Sequence, residues 1–169
     1  MSGGYRFTPL AAAKANSFVT NDYELVGQYK NDSSTFYLFK SDVKQQYRTV
    51  FVNRNYLTFR SNHSTALPYS KDPLQTIGGM SIYDQDKAAT VFIAQSFDEA
   101  VDSIQIDSGF GMEKKDIHKD EIVHFLLPIA KQIDQLNAIA YDEQGHELYY
   151  YGYEKNTINN LKWHKIKDE

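Results

Sequence analysis

The chain of 169 residues contains no cysteine. That excludes disulfides, thiolate zinc sites and a thiol nucleophile. No apolar run approaches the ~20 residues that a membrane-spanning helix needs, and no secretory leader pattern is legible at the start. Lys and Arg are not concentrated: the longest basic clusters are Lys114-Lys115 and the tail from Lys162 to Lys167, within a net charge of −4. The basic footprint of a nucleic-acid-binding protein is therefore missing, and so is a polybasic membrane-surface segment. No repeat or low-complexity tract interrupts the chain. Met1-Ser2-Gly3-Gly4 reads either as a short flexible segment in place of removed native residues, or as a native flexible terminus.

What the chain has in quantity is aromatic surface, with 13 Tyr and 10 Phe. Such residues suit a pleated, half-buried surface and favour sheet. Hydrophobic residues make up 41% and charged residues 24%, which excludes wholesale disorder. The length fits one ordinary domain or two small ones sharing a core.

Thr8-Pro9 is the one clear helix signal, an N-cap residue followed by Pro at the first helical position. It predicts a helix continuing through the Ala-rich stretch to Val19. Strand patterns follow over Glu24–Lys30, Thr35–Lys40, Gln46–Asn53 and Tyr56–Arg60. Asn31-Asp32-Ser33-Ser34 and Arg54-Asn55 read as the hairpin turns between them. Residues 61–79 hold Pro68, Pro73, Gly78 and Gly79 among polar residues and read as a long connection. The expected organisation is a helix with β-hairpins over 1–60, a connection over 61–79, and a β-sandwich part over 80–169, in one compact domain or two.

The C-terminal part reads as short strands at Met80–Tyr83, Ala89–Gln95, Val101–Asp107, Glu121–Leu127, Leu136–Tyr141 and Glu147–Tyr153. Asp84-Gln85-Asp86 and Ser108-Gly109 with Gly111 are turn chemistry between them. Asp142 to Gly145 fits a type I turn closed by a left-handed Gly. Residues 120–136 also fit a helical stripe, but Pro128 interrupts it and favours a strand ending near Leu127. The fold class is mainly β: an N-terminal helix plus antiparallel strands, then a C-terminal immunoglobulin-like β-sandwich.

No known catalytic pattern emerges. His118 and His124 are the closest histidines and lie too far apart along a strand to share a metal. Asp84-Gln85-Asp86-Lys87 has neither the length nor the terminal Glu of a calcium loop. Ser108-Gly109-Phe110-Gly111 lacks the leading Gly of a nucleophile elbow, and Gly78-Gly79 is too short to cradle phosphate. Asp98, Glu99 and Asp102 form a carboxylate cluster that acid–base chemistry would need in a cleft.

Two features carry a binding reading. Tyr149, Tyr151 and Tyr153 alternate along one strand, with Leu148 and Tyr150 on the other face. The three tyrosines either form an exposed ridge for a sugar or protein, or pack on a second layer or strengthen the sheet by cross-strand pairing. Arg54 and Arg60, near His63, either grip a carboxylate or phosphate or form a solvated or structural ion pair.

Val91-Phe92-Ile93-Ala94, Phe97 through Ile104, and Ala138 through Tyr149 with its Ala-Tyr-Asp-x-x-Gly hairpin together resemble small exported proteins of Bacillus-like Gram-positive bacteria. In these a β-sandwich module follows a short membrane anchor. The resemblance covers about half the chain and carries no catalytic residues with it. No function comes with the resemblance. The β-rich content, the absent cysteine, the lack of a catalytic constellation and the Met1–Gly4 start lead instead to the expectation of a non-enzymatic extracytoplasmic binding module, tethered by an N-terminal segment absent here. Its partner would be a protein or cell-envelope component, with no cofactor, no nucleic acid, and membrane contact only through the anchor. The alternatives are a hydrolase built on Asp98 or Asp102, and an intracellular accessory or immunity protein.

Overall fold

The computed structural model describes residues 4–32, 34–84, 87–154 and 158–167. Ser33, Gln85 and Asp86 of the predicted turns, the first three residues, 155–157 and the last two residues lie outside the described residues. The chain is mainly β, with antiparallel sheets and, among the described residues, one short α-helix, α1 (Pro9–Lys14).

The first sheet has the order β1 (Glu24–Lys30), β2 (Thr35–Ser41), β3 (Gln46–Asn55), β4 (Thr58–Pro68). The central sheet comprises β5 (Leu74–Asp84), β6 (Lys87–Ser96) and β9 (Ile122–Leu127). An outer sheet lines up β12 (Lys162–Lys165), β11 (Glu147–Gly152), β10 (Ile139–Tyr141), β7 (Ser103–Asp107) and β8 (Met112–Asp116).

The continuous apolar run of β6 explains the stacking. Its Ala89, Val91 and Ile93 join Phe36, Leu38 and Phe51 of the first sheet in one core. Phe92 and Ala94, on the opposite face, join Ile104, Ala140, Tyr149, Tyr151 and Trp163 in another. A strand covered on both faces has no polar side to alternate with, so its pattern is a run rather than an alternation. Phe92 is the hub, edge-on to Tyr151 at 5.2 Å and 6.2 Å from the Trp163 ring. Such pairs add about 0.5–1.5 kcal/mol each beyond the buried area.

The α1 helix covers the far face of the first sheet, where Ala12 and Ala13 pack with Tyr37, Phe39, Val50 and Val52. Thr8 caps it by accepting the Ala11 N–H at 3.2 Å. The helix stops at Lys14, short of the predicted Val19. Asn16 accepts the Phe18 N–H through Oδ1 and donates to Ser61 at 3.0 Å, a local alternative to helical bonding.

Residues 61–79 are mostly strand, contrary to the expected connection. Ser61–Pro68 continues β4, Leu74–Gly79 begins β5, and only Tyr69–Pro73 links them. The polar residues belong to an edge strand, where Pro68 at its end is tolerated. Gly78 sits at a bulge beside the first sheet, where a Cβ would stand 2.8 Å from Ile93 Cδ1 and 2.9 Å from Thr49 Oγ1. Here Gly permits close approach of two sheets rather than a turn. The β3–β4 turn also sits later than predicted, at Tyr56-Leu57, with Arg54 and Asn55 still in the strand.

Residues 120–136 resolve as β9, ended by Pro128, followed by a 3-10 turn at Ile133–Leu136. The predicted strand Leu136–Tyr141 therefore shortens to β10. The Asp142 turn forms as expected, with Gly145 at φ 84°. Two strands, β8 and β12, escaped the pattern. They are charged edges of the outer sheet, and edge strands carry charge to discourage further pairing.

Candidate anion-binding pocket

The β3–β4 hairpin carries a bulge. Ser61 and Asn62 both stand between Arg60 and His63, whereas only Val52 stands between their partners Asn53 and Phe51. A bulge re-aims the side chains around it. Arg60, Asn62 and His63 all line one pocket of about 280 Å³, together with Asn53, Arg54 and Asn55 of β3. Asp84 and Lys87, paired at the end of the β5–β6 hairpin, close it from the central sheet. Tyr5 forms a further wall, held there because Arg6 pairs with Phe59 through N–H···O bonds of 2.9 and 2.7 Å.

Arg54, Arg60 and Lys87 thus line one pocket with one carboxylate, Asp84, among its lining residues. None of the three cations makes an ion pair within 4.0 Å with a described residue. Arg54 Nε donates to the Tyr56 carbonyl at 3.2 Å. Lys87 Nζ donates to Asn53 Oδ1 at 2.7 Å, and Asn53 Nδ2 donates to Asp84 Oδ2 at 3.1 Å. That relay orients Lys87 through the neutral Asn53 amide, with the Asp84 carboxylate one step further on. The Arg60 guanidinium lies 5.7 Å from the Tyr5 ring centroid, and its Nε is buried with no acceptor among the described residues. Guanidinium groups match phosphate and carboxylate oxygens with paired donors. An anion entering here would meet more positive than negative charge, in a partly enclosed site that weakens solvent screening.

The structure thus brings together Arg54 and Arg60, both singled out from the sequence, and adds Lys87 from a second sheet. Lys87 had no local signal, because only the stacking of two hairpin ends makes it a neighbour. The tyrosines fare differently. Tyr149 and Tyr151 are each 5% exposed and belong to the core, while Tyr153 is 41% exposed beyond the end of β11. The ridge face is the inner face of the outer sheet, so the alternative of packing on a second layer is the one realised for Tyr149 and Tyr151.

Asp98 has both carboxylate oxygens engaged, Oδ2 by the Tyr149 hydroxyl at 2.6 Å and Oδ1 by the Ala100 N–H at 2.9 Å. Burial acts to raise its pKa, but the Tyr149 bond, the Ala100 N–H and Lys165 outweigh that and hold it below the usual carboxylate value. The Asp102 main chain serves sheet edges: its N–H donates to the Tyr141 carbonyl and its carbonyl accepts from Ile117. Among the described residues no group of three or more His, Asp or Glu is placed to hold a metal ion, and no helix is long and apolar enough to cross a membrane. Comparison with protein-family models, curated proteins and solved structures gives no match.

Proposed function

We propose that this chain is a non-catalytic binding module that captures an anionic group, a phosphate or carboxylate, of a cell-envelope component or protein. The observation that carries this is that Arg54, Arg60 and Lys87, from two stacked hairpins, line one pocket with a single lining carboxylate. Cations whose partners are neutral amides and carbonyls retain their charge for a ligand. The module works outside the cytoplasm, tethered through a segment preceding Tyr5, and its central and outer sheets form an immunoglobulin-like sandwich. The β-rich body and the engagement of Asp98 by Tyr149 favour binding over hydrolysis.

The test is titration of the full chain with inorganic phosphate and with acetate, followed by amide chemical shifts. Saturable shifts confined to residues around Arg54, Arg60, Asn62 and Lys87 are expected, and their loss in Arg54→Gln/Arg60→Gln. Shifts scattered over the surface, or unchanged in the double variant, would refute the assignment.

A further inference from the structure

The β3–β4 turn beside this pocket is unlike a solvent-facing turn. Two-residue hairpin turns favour Gly, Asn or Asp, because one or both positions need φ above zero. Here the turn residues are Tyr56 and Leu57, and Tyr56 takes φ 52°. A bulky residue at positive φ carries a conformational cost that Gly would avoid. Tyr56 is 92% exposed and Leu57 82% exposed. Phe7, next to the Arg6–Phe59 bridge, is 87% exposed. Protruding aromatic and aliphatic groups therefore crowd one tip of the molecule, and Tyr5, Tyr56 and Leu57 line a common open depression there.

Arg6, Arg54 and Arg60 stand immediately behind this tip in the chain pairing, and Lys87 faces it across the pocket. Asp84 in the pocket and Asp32 in the adjoining depression are the acidic groups lining these hollows among the described residues. An apolar, aromatic-rich projection backed by Arg and Lys matches the layering of an anionic membrane surface, acyl chains beneath phosphates.

From this we infer that the β3–β4 tip is a membrane-contact surface, in which Tyr56, Leu57 and Phe7 enter the interface of an anionic phospholipid bilayer. The pocket cations then receive headgroup phosphates. This rests on the anion reading of the pocket and names its partner. Charge complementarity selects the bilayer over a protein groove, since Tyr56, Leu57 and Phe7 are almost fully exposed beside a cationic collar, and the depression that Tyr56 and Leu57 line is open and shallow. The basic residues are scattered at 6, 54, 60 and 87, so no polybasic segment announces them.

The experiment is vesicle flotation of the full chain with phosphatidylcholine alone and with an equimolar phosphatidylcholine–phosphatidylglycerol mixture. Inorganic phosphate titration of each variant runs in parallel. Binding to the mixed vesicles should exceed binding to neutral vesicles by about tenfold or more, from several cations each adding to attraction. Tyr56→Ser/Leu57→Ser should lose about tenfold in vesicle binding while phosphate still shifts the pocket resonances. Arg54→Gln/Arg60→Gln should lose both. If phosphate binds but vesicles do not, or the tip variant floats like the wild type, the membrane inference fails and the pocket reading stands. If neither phosphate nor vesicles bind, both fail.

Discussion

Tyr149 donates a 2.6 Å hydrogen bond to Asp98, a residue 51 positions earlier in the chain. The bond fastens β11 to the segment that follows β6. Burial, then Asp98, pushes the Tyr149 hydroxyl up to about 12. The tyrosine favours its neutral form when folded, so its stabilisation is full below its ordinary value of 10.0 and is lost as pH rises through about 12. Asp98 favours its charged form when folded, so its stabilisation holds above the ordinary carboxylate value and is lost as pH falls through its lowered one. Tyr149→Phe is expected to cost about 1–2 kcal/mol at neutral pH. The gap from wild type should narrow in strong acid. Urea denaturation across pH checks this, and equal midpoints at neutral pH would count against it.

Arg60→Lys keeps the charge and removes the planar pair of donors. We expect it to bind inorganic phosphate more weakly than wild type but more tightly than Arg60→Gln, with about tenfold between the extremes. Calorimetric titration measures the series. Equal affinities in Arg60→Lys and Arg60→Gln would show that charge at this position is irrelevant.

Gly78→Ala should destabilise the protein by about 1–3 kcal/mol, the cost of an extra carbon forced into a packed core. The new methyl would meet Ile93, Thr49 and Leu38 where the first and central sheets approach. A thermal or urea midpoint equal to wild type would mean that the sheets part at no cost.

The histidines should titrate in a definite order. His118 is raised above its ordinary value of 6.5, chiefly by its hydrogen bond to Glu121 at 3.0 Å. His124 is lowered, first by burial and then by Lys115. Proton NMR titration should find His118 the more basic of the two, and Glu121→Gln should bring it down. The reverse order would contradict the positions of both rings.

Trp163 is the chain's one tryptophan and seals the core between central and outer sheets, its indole N–H donating to Thr76 at 3.1 Å. Trp163→Ala should cost about 3–5 kcal/mol. Trp163→Phe should recover most of the packing and lose the hydrogen bond, which chemical denaturation would distinguish.

Much of this was already legible in the residues. Thr8-Pro9 starts the helix, Asp142–Gly145 makes its turn, and Pro128 ends β9, because capping, turn and proline geometry are local properties of the backbone. The β2, β3 and β6 strands were visible as apolar runs because burial on two faces leaves no polar alternation. Edge strands were harder to see. The polar β4 and the charged β8 and β12 form because a neighbour supplies their hydrogen bonds, and nothing in their own composition demands it.

The site divides the same way. The sequence by itself determined that no thiol chemistry exists, that the body is β-rich, and that Arg54 and Arg60 lie close along one hairpin. Tertiary structure alone decided which side of β11 faced inward, turning Tyr149 and Tyr151 into core. It also brought Lys87 opposite the arginines. Side-chain direction within a strand follows local period, but which face meets another layer depends on how whole sheets stack, and no residue encodes that alone.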